Sequence, residues 1–332
     1  MKSLLAIIIP AYKAKFLDAT LRSIAAQTCK EFTLYIGDDN SPESIEEIIN
    51  PYRKRLQLTY IKFNENLGKT SLAKHWERCI SLSDEPWVWL FSDDDMMAPR
   101  CVENFLAELN NNLPSSAVYR FNTKIINKYG DVVRINHPHP RIEEGIQFLY
   151  FWLRGLRNCT MPDLIFSRKA FMQVGGFVEL PLAWGSDVVM LLKLSVLSKI
   201  VTIDDSLVYF RNSGYNISTS HESTLVNKKI EAYSKLLFWL RHFLKNCEDT
   251  KSPLSQHSLW KIARDWFLNQ IQHEHTIMSV KQLLYLSKIM EELWGTPANT
   301  NFMKLLKLNC SAVVSILERK IKLLLINNKE CI

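Results

Sequence analysis

Residues 87–95 have the sequence Trp87-Val88-Trp89-Leu90-Phe91-Ser92-Asp93-Asp94-Asp95, in which an apolar run ends at three consecutive aspartates. The apolar part has the length and the aromatic and β-branched content of a buried strand. In open α/β sheets, ligands bind at the carboxyl ends of such strands. The stretch therefore predicts both a sheet and a ligand site at one edge of it.

The chain before this stretch alternates short apolar runs with helical segments. Three apolar runs have the pattern of buried strands, namely residues 4–9, 32–36 and 57–63. Residues 16–27, after the first run, and residues 70–81, after the third, have the spacing of amphipathic helices. This alternation predicts an α/β fold with a Rossmann-like, mostly parallel central sheet flanked by helices. We therefore expect residues 10–12, 38–39 and 93–95 to meet at one edge of the sheet.

The pattern changes after residue 118, first to antiparallel strands and then to helices. Residues 118–127 and 132–135 flank a turn that contains Gly130, which predicts a hairpin. From about residue 223 the chain has helical patterning almost throughout. We expect an α/β domain over residues 1–222 and a C-terminal α-helical region over residues 223–332.

Charge and cysteine content add to this division. The net charge of +7 comes from residues 223–332, which hold 16 Lys or Arg against 9 Asp or Glu. A basic helical region predicts an anionic partner, a membrane surface for example, or packing on the core or on a second subunit of a homo-oligomer. The seven cysteines are scattered singly without a Cys-x-x-Cys pair, which predicts free thiols in the cytoplasm.

The three aspartates repel one another, so they need either free solvent or a cation. A solvated acidic turn would satisfy that need without any function. Alternatively, Asp93, Asp94 and Asp95 bind Mg²⁺ or Mn²⁺, which prefers carboxylate oxygens and holds substrate phosphates at the same time. Their place after a buried strand favours the metal site.

Polar residues also follow the first two strands. Pro10 and Tyr12 end the first strand, and Asp38 and Asp39 end the second. Structural alternatives exist, because Tyr12 could be an aromatic at the edge of the core and the two aspartates could form an Asx turn. An aromatic at a strand end can instead stack on a base, with nearby carboxylates accepting hydrogen bonds from the N–H groups of that base.

Asp187 opens an apolar helix directly after Trp184-Gly185-Ser186. As an acid in the first turn of a helix it needs no function. A carboxylate beside apolar groups is also suited to take a proton from a hydroxyl. The paired histidines His137 and His139 lack companions at metal-ligand spacing, so we expect them on the surface.

Several of these segments resemble the inverting family 2 glycosyltransferases with the GT-A fold. The likeness covers roughly residues 3–215, and six segments in the family's order and spacing carry it: residues 7–12, 23–28, 37–41, 64–68, 92–95 and 174–177. The resemblance implies a nucleotide-sugar donor, expected to be a UDP-sugar, and a divalent metal ion.

The resemblance also implies roles around the nucleotide. Pro10 and Tyr12 would line the nucleotide pocket, with Tyr12 against the base. Asp39, helped by Asp38, would bind the base or its neighbourhood. Lys69 lies near the place where the family often has a basic residue facing the nucleotide.

The acidic turn and the later helix match two further functional positions of the family. Asp93, Asp94 and Asp95 match its Asp-x-Asp region, which contacts the ribose and the metal that bridges the diphosphate. Because Ser92 occupies the place of the first aspartate in many relatives, Asp95 is the expected metal ligand, and Asp93, nearer the ribose, is the second. Asp187 falls where the family has its catalytic base.

Two departures from the family matter. The chain has Ser186-Asp187 where the family usually has Glu-Asp, and Arg211-Asn212-Ser213 where it often has Arg-x-His. The alternative is therefore a non-catalytic protein that binds nucleotide-sugar or glycan on a degenerate transferase fold. Sugar nucleotidyltransferases share the α/β plan but need a glycine-rich loop, which residues 10–13 do not provide.

We expect an enzyme that moves a sugar to a hydroxyl of a glycan or lipid-linked acceptor, with inversion, in bacterial surface polysaccharide synthesis.

Residues 317–325 combine an apolar face with cations, which predicts peripheral contact with the inner face of the membrane. Aromatics and cations in the tail follow helix packing rather than a stacking groove, so no nucleic-acid partner is expected.

Overall fold

The computed structural model of the chain describes residues 3–110, 116–214, 216, 223–247, 254–273 and 278–309. The chain forms two compact units, residues 1–219 and residues 220–332. Each unit is described by itself below. The functions assigned to the two regions stay predictions.

The first half of the first unit is a parallel sheet with crossover helices, so the predicted α/β fold is confirmed. Its elements are β1 (Leu5–Ala11), α1 (Leu17–Ala25), β2 (Phe32–Asp38), α2 (Ile45–Ile49), β3 (Leu58–Lys62), α3 (Leu72–Ile80) and β4 (Trp87–Leu90). These strands have the order β3-β2-β1-β4, and Ile7 of β1 pairs with both Leu34 and Trp89. Six of the seven residues of β1 are buried, which explains its unbroken apolar sequence.

The second half adds shorter and antiparallel elements. They are β5 (Met96–Met97), α4 (Cys101–Asn110), β6 (Val118–Ile126), β7 (Val132–Ile135), β8 (Ile142–Glu143), α5 (Gly145–Leu153), β9 (Leu164–Ser167), α6 (Arg168–Gln173), α7 (Ser186–Ser195) and β10 (Ile200–Arg211). The predicted hairpin is the antiparallel pair β6 and β7. β9 runs antiparallel between β4 and β6, and β10 lies parallel to β6 on its other side.

Trp89 anchors the strand that leads to the aspartates. It is 0% exposed and stacks on Phe121 at a centroid distance of 5.0 Å. Its indole N–H donates a hydrogen bond of 2.8 Å to the carbonyl oxygen of Pro162, just before β9. The strand is therefore fixed both by apolar burial and by a satisfied buried donor.

The second unit contains α8 (Ser223–Asn246), α9 (Gln256–His273) and α10 (Val280–Trp294), and residues 298–309 are also helical. Ser279 and Gln282 form a capping box at the start of α10, and Gly295 ends it with a φ of 70°. In the described ranges, no helix has the length and apolarity needed to cross a membrane. Residues 317–325 lie outside these ranges, so the membrane-surface contact stays a prediction.

Candidate active site

Asp93 joins the end of β4 to the end of β1. Its Oδ2 accepts hydrogen bonds from the backbone N–H groups of Tyr12, at 2.9 Å, and Lys13, at 2.8 Å. Burial raises the pKa of Asp93, while these backbone bonds act in the opposite direction. Two of the expected strand ends therefore meet directly.

Asp95 joins the same turn to the end of β10. It is 0% exposed, and its Oδ1 accepts the backbone N–H of Arg211 at 2.7 Å. Its Oδ2 is buried and has no hydrogen-bond partner among the described residues. Burial, followed by the charge of Asp94, raises the pKa of Asp95 well above its usual range. Asp95 thus holds the turn in place without a surface open to solvent.

Asp94 lies between them and remains partly exposed. Its Oδ2 accepts a hydrogen bond of 3.1 Å from the side-chain amide of Asn216, and its carbonyl oxygen accepts Nε of Arg211 at 2.8 Å. Burial, and then the charge of Asp93, raises the pKa of Asp94 to about 7. A cation beside this carboxylate would stabilise its charged form and lower its pKa.

The carboxylates of this turn suit a divalent cation that arrives with its substrate. In the described part of the chain, no group of three or more His, Cys, Asp or Glu side chains is placed to hold a metal ion. Mg²⁺ needs only one or two carboxylates when substrate phosphates and water complete its shell. Asp94, with Asp93 beside it, therefore fits Mg²⁺ or Mn²⁺ bound together with a diphosphate. Ser213 stands where the resemblance would often place a histidine, and it offers no imidazole.

Asp38 is buried within a local turn. Its Oδ1 accepts the backbone N–H of Ser41 at 2.7 Å, and its Oδ2 accepts the hydroxyl of Tyr60 at 2.7 Å. Ser41 in turn donates its hydroxyl to the carbonyl oxygen of Tyr12 at 2.6 Å. Asp38 is 0% exposed, so it shapes the end of β2 from inside. Its bond to Ser41 reaches one residue further than an Asx turn, and both of its oxygens serve the local structure.

Asp39 holds the loop before α3. It accepts hydrogen bonds from the backbone N–H groups of Leu67 and Gly68, each at 2.8 Å, and from the Arg78 guanidinium at 2.5 Å. A Cβ at Gly68 would lie 2.5 Å from Oδ2 of Asp39, so the close approach requires glycine there. His75 lies beside the pair, with Nδ1 at 3.3 Å from Oδ1 of Asp39. Burial lowers the pKa of His75 to about 4, which keeps its ring neutral at pH 7.

Pro10, Tyr12 and Lys69 border the same edge of the sheet. Pro10 pairs in register with Gly37 of β2, and Tyr12 directly after β1 is 39% exposed. Lys69 is exposed and follows Gly68 in the loop that Asp39 holds. An exposed aromatic and an exposed cation therefore flank the strand ends where the aspartates lie.

Asp187 occupies the first turn of α7 and is partly buried. Its Oδ1 accepts the backbone N–H of Val188 at 2.8 Å. Burial is the main cause that raises the pKa of Asp187 to about 7, and the charge of Asp163 adds to it. The loop before this helix holds Leu182 and Ala183 at φ values of 60° and 50°, which are strained for residues with a Cβ.

Asp163 is a further buried carboxylate, and the fold places it near Asp95 and Asp187. It is 1% exposed and accepts the hydroxyl of Thr123 at 3.0 Å and the backbone N–H of Thr160 at 2.9 Å. Burial raises its pKa to about 6, and its charge raises the pKa of both Asp95 and Asp187. The capping-box spacing from Thr160 to Asp163 was the available local signal.

The prediction of a surface location is wrong for His139. Its side chain is 6% exposed, and its backbone N–H donates to Oδ1 of Asn122 at 2.8 Å. Burial, helped by the charges of Arg120 and Arg157, lowers the pKa of His139 to about 2. The alternation of histidine and proline in residues 137–140 does not indicate that His139 contacts strand β6.

Comparison with solved structures places this architecture among the GT-A glycosyltransferases. TarS of S. aureus, residues 1–349 in complex with UDP, matches with a TM-score of 0.64 and 15% identity over 96% of this chain and 92% of that chain. The complex of the same protein with UDP-GlcNAc matches with a TM-score of 0.64 and 16% identity. At this identity the likeness concerns the fold.

Residues 6–175 match the family model described as glycosyl transferase family 2, and the chain belongs to that family. Validoxylamine A glucosyltransferase of Streptomyces hygroscopicus subsp. jinggangensis (strain 5008) is 29% identical over 118 residues. This match covers 35% of the present chain and 28% of that relative. The corresponding enzyme of subsp. limoneus is 28% identical over 118 residues, which are 26% of its length.

Proposed function

We propose that the protein transfers a sugar from a UDP-sugar to a hydroxyl of a glycan or lipid-linked acceptor, with inversion at the anomeric carbon. The observation that carries the proposal is the junction of β1, β4 and β10 through Asp93 and Asp95, with the partly exposed Asp94 between them. The TarS complexes with UDP and UDP-GlcNAc support uridine as the nucleoside of the donor. The setting that we propose is bacterial surface polysaccharide synthesis.

The nucleotide would lie against the end of β1. The exposed ring of Tyr12 stacks on the base, and Pro10 borders the pocket. Both oxygens of Asp39 already accept hydrogen bonds from Leu67 and Gly68, so we assign it to the pocket wall rather than to the base. Lys69 then faces the diphosphate side of the donor.

The turn Asp93-Asp94-Asp95 would hold the metal and the ribose. Asp94 is a better ligand than the expected Asp95, because Asp95 is 0% exposed and is bonded to the backbone of β10. Asp93 uses Oδ2 for two backbone N–H groups and keeps Oδ1 for the ribose or the ion. When bound, Mg²⁺ or Mn²⁺ neutralises charge on the diphosphate of the donor.

Asp187 would be the general base of a single in-line displacement. Its carboxylate removes the proton of the acceptor hydroxyl while that oxygen bonds to the anomeric carbon. The bond from the anomeric carbon to the diphosphate oxygen breaks at the same time, and its electron pair leaves with UDP. One oxygen of Asp187 accepts the backbone N–H of Val188, and in the proposal the other oxygen takes the proton. A pKa near 7 suits this task at neutral pH.

We expect one UDP-sugar to be turned over when the protein is incubated with Mn²⁺ and a panel of UDP-, GDP- and dTDP-sugars. Release of the nucleoside diphosphate, with and without mixed glycan acceptors, is the measurement. Binding of a UDP-sugar without release under any condition would favour the non-catalytic alternative. Turnover of a GDP- or dTDP-sugar alone would contradict the assignment of uridine.

The substitution Gly68→Ala is expected to weaken UDP binding about tenfold, because the new Cβ forces Asp39 away from the loop that borders Lys69. Isothermal titration with UDP measures the effect. Gly155→Ala is the matched control, since a Cβ there meets nothing within 4 Å although its φ of +72° carries a general cost in stability. Equal UDP affinity in the two variants would argue against this wall of the pocket.

A further inference from the structure

The helical unit contains a cavity of its own. Its volume is about 710 Å³, and residues of α8, α9 and α10 line it. That volume lies in the range of sites that hold small ligands. All of the lining residues belong to the second unit, so the cavity is separate from the aspartate site described above.

One face of α9 supplies much of the lining. His257, Trp260, Lys261 and Arg264 follow one another at the spacing i, i+3, i+4 and i+7, which places them along a single side of the helix. This face combines a histidine, an aromatic ring and two cations, and it opens on the cavity.

Two stacked tryptophans form the aromatic part of the cavity. The rings of Trp260 and Trp294 lie 5.1 Å apart with an interplanar angle of 24°, and both are partly exposed. The indole N–H of Trp260 donates to the carbonyl oxygen of Leu293 at 3.2 Å, and that of Trp294 donates to the carbonyl oxygen of Trp260 at 3.3 Å. These bonds fix both rings, so the cavity meets flat apolar surface of the kind that packs on the C–H face of a sugar ring.

The charges of the lining favour an anion. Arg241, Lys261 and Arg264 are cations, whereas Glu292 is the one acid among the lining residues. Nη1 of Arg241 is bonded to the backbone oxygen of Glu292 at 2.9 Å, and Lys261 is exposed. An excess of positive charge in a concave site attracts negatively charged ligands.

Arg264 gives a second, independent sign of a ligand. Its Nε is buried and has no hydrogen-bond partner among the described residues. The nearest acidic oxygen, Oδ1 of Asp265, lies 3.7 Å away, beyond hydrogen-bond distance. The Arg264 side chain as a whole is 34% exposed, so a ligand in the cavity can reach its guanidinium group. A carboxylate or phosphate oxygen would give the buried N–H the partner that it lacks.

We propose that this cavity binds an anionic saccharide, with a sugar ring on the tryptophan pair and its carboxylate or phosphate on Lys261 and Arg264. The choice of a saccharide over a nucleotide rests on the proposed function, in which the nucleotide occupies the strand ends of the other unit. For a glycosyltransferase, such a site would hold a charged glycan independently of the donor.

The test is titration of the full chain with four probes. Tryptophan fluorescence and calorimetry measure the binding. Trigalacturonic acid and glucose 6-phosphate present a carboxylate and a phosphate on a sugar, maltotriose is the neutral control, and UMP tests a nucleotide. We expect saturable binding of at least one anionic saccharide, at least tenfold tighter than maltotriose, and weakened by salt. The stronger of the two identifies the anion.

Lys261→Glu and Arg264→Gln are expected to weaken that binding at least tenfold, whereas Lys288→Glu, on the exposed surface of α10 and outside the lining, leaves it unchanged. Binding of UDP to all three variants should equal that of the wild type. Absence of saturable saccharide binding, an equal loss in Lys288→Glu, or tighter binding of UMP that Lys261→Glu abolishes would overturn the proposal. Failure of the UDP titration alone would count against the proposed function and not against this site.

Discussion

Asp187→Asn is expected to lower sugar transfer about a thousandfold while UDP binding stays within about twofold of the wild type. The amide keeps the size of the carboxylate and its bond to Val188, but it cannot accept the proton of the acceptor hydroxyl. The variant is compared with wild type by single-turnover transfer and by titration with UDP. Asp205→Asn, an exposed acid on β10, is the matched control.

The dependence on pH makes this prediction specific. Transfer needs Asp187 in its deprotonated form, and burial raises the pKa of Asp187 to about 7. The wild-type rate should therefore fall at least tenfold for each pH unit below about 7 and level off above it, since Asp94, whose pKa is also about 7, must be deprotonated to bind the cation. The residual activity of Asp187→Asn should fall less steeply below pH 7 than that of the wild type. Retained turnover in the variant, or a wild-type profile that is flat between pH 5 and pH 7, would remove Asp187 from the mechanism.

Asp94→Asn is expected to lower transfer about a hundredfold and to abolish the effect of Mn²⁺ on UDP affinity. Asp94 and Asp93 are the partly exposed carboxylates of the turn, and Asp93 already uses Oδ2 for two backbone N–H groups. Burial, and then the charge of Asp93, raises the pKa of Asp94 to about 7. An amide at this position removes the charge that would bind the cation. Titration with UDP, with and without Mn²⁺, separates loss of the metal from loss of the nucleotide pocket.

Asp95→Asn provides the matched comparison for this prediction. Asp95 is 0% exposed and bonded to Arg211, so its amide variant should keep the enhancement of UDP binding by Mn²⁺. The opposite pattern, in which Asp95→Asn loses the enhancement and Asp94→Asn keeps it, would restore Asp95 as the ligand. Equal UDP affinity with and without Mn²⁺ in the wild type would remove the metal from the proposal.

Much of the fold could be predicted because its strands carry strong local patterns. β1 and β4 are unbroken apolar runs, and both are interior strands of the sheet. β10 was harder to recognise from local pattern, since Asp204 and Asp205 interrupt it. At that point its pairing with β6 shifts in register, and Asp205 adopts a φ of 60°. A bulge of this kind removes the alternation that marks a strand.

The position of the candidate site could be predicted from the sequence, but the separate roles of its aspartates could not. Three adjacent aspartates look equivalent in a sequence, whereas the fold buries Asp95 and leaves Asp94 partly exposed. The difference depends on Arg211, a partner 116 residues away. The same holds for Asp39, whose bond to Arg78 depends on the packing of α3 against the sheet. Contacts at such separation leave no periodic signal.

The long separation between Asp95 and Arg211 also has a meaning for synthesis of the chain. Translation proceeds at about 5–20 residues per second, so the partner of Asp95 follows it after roughly ten seconds. β9, which pairs with the free edge of β4, is also made later than β4 itself. The acidic turn is therefore completed late during translation. Until β9 has been made, the unpaired edge of β4 can pair with strands of other nascent chains.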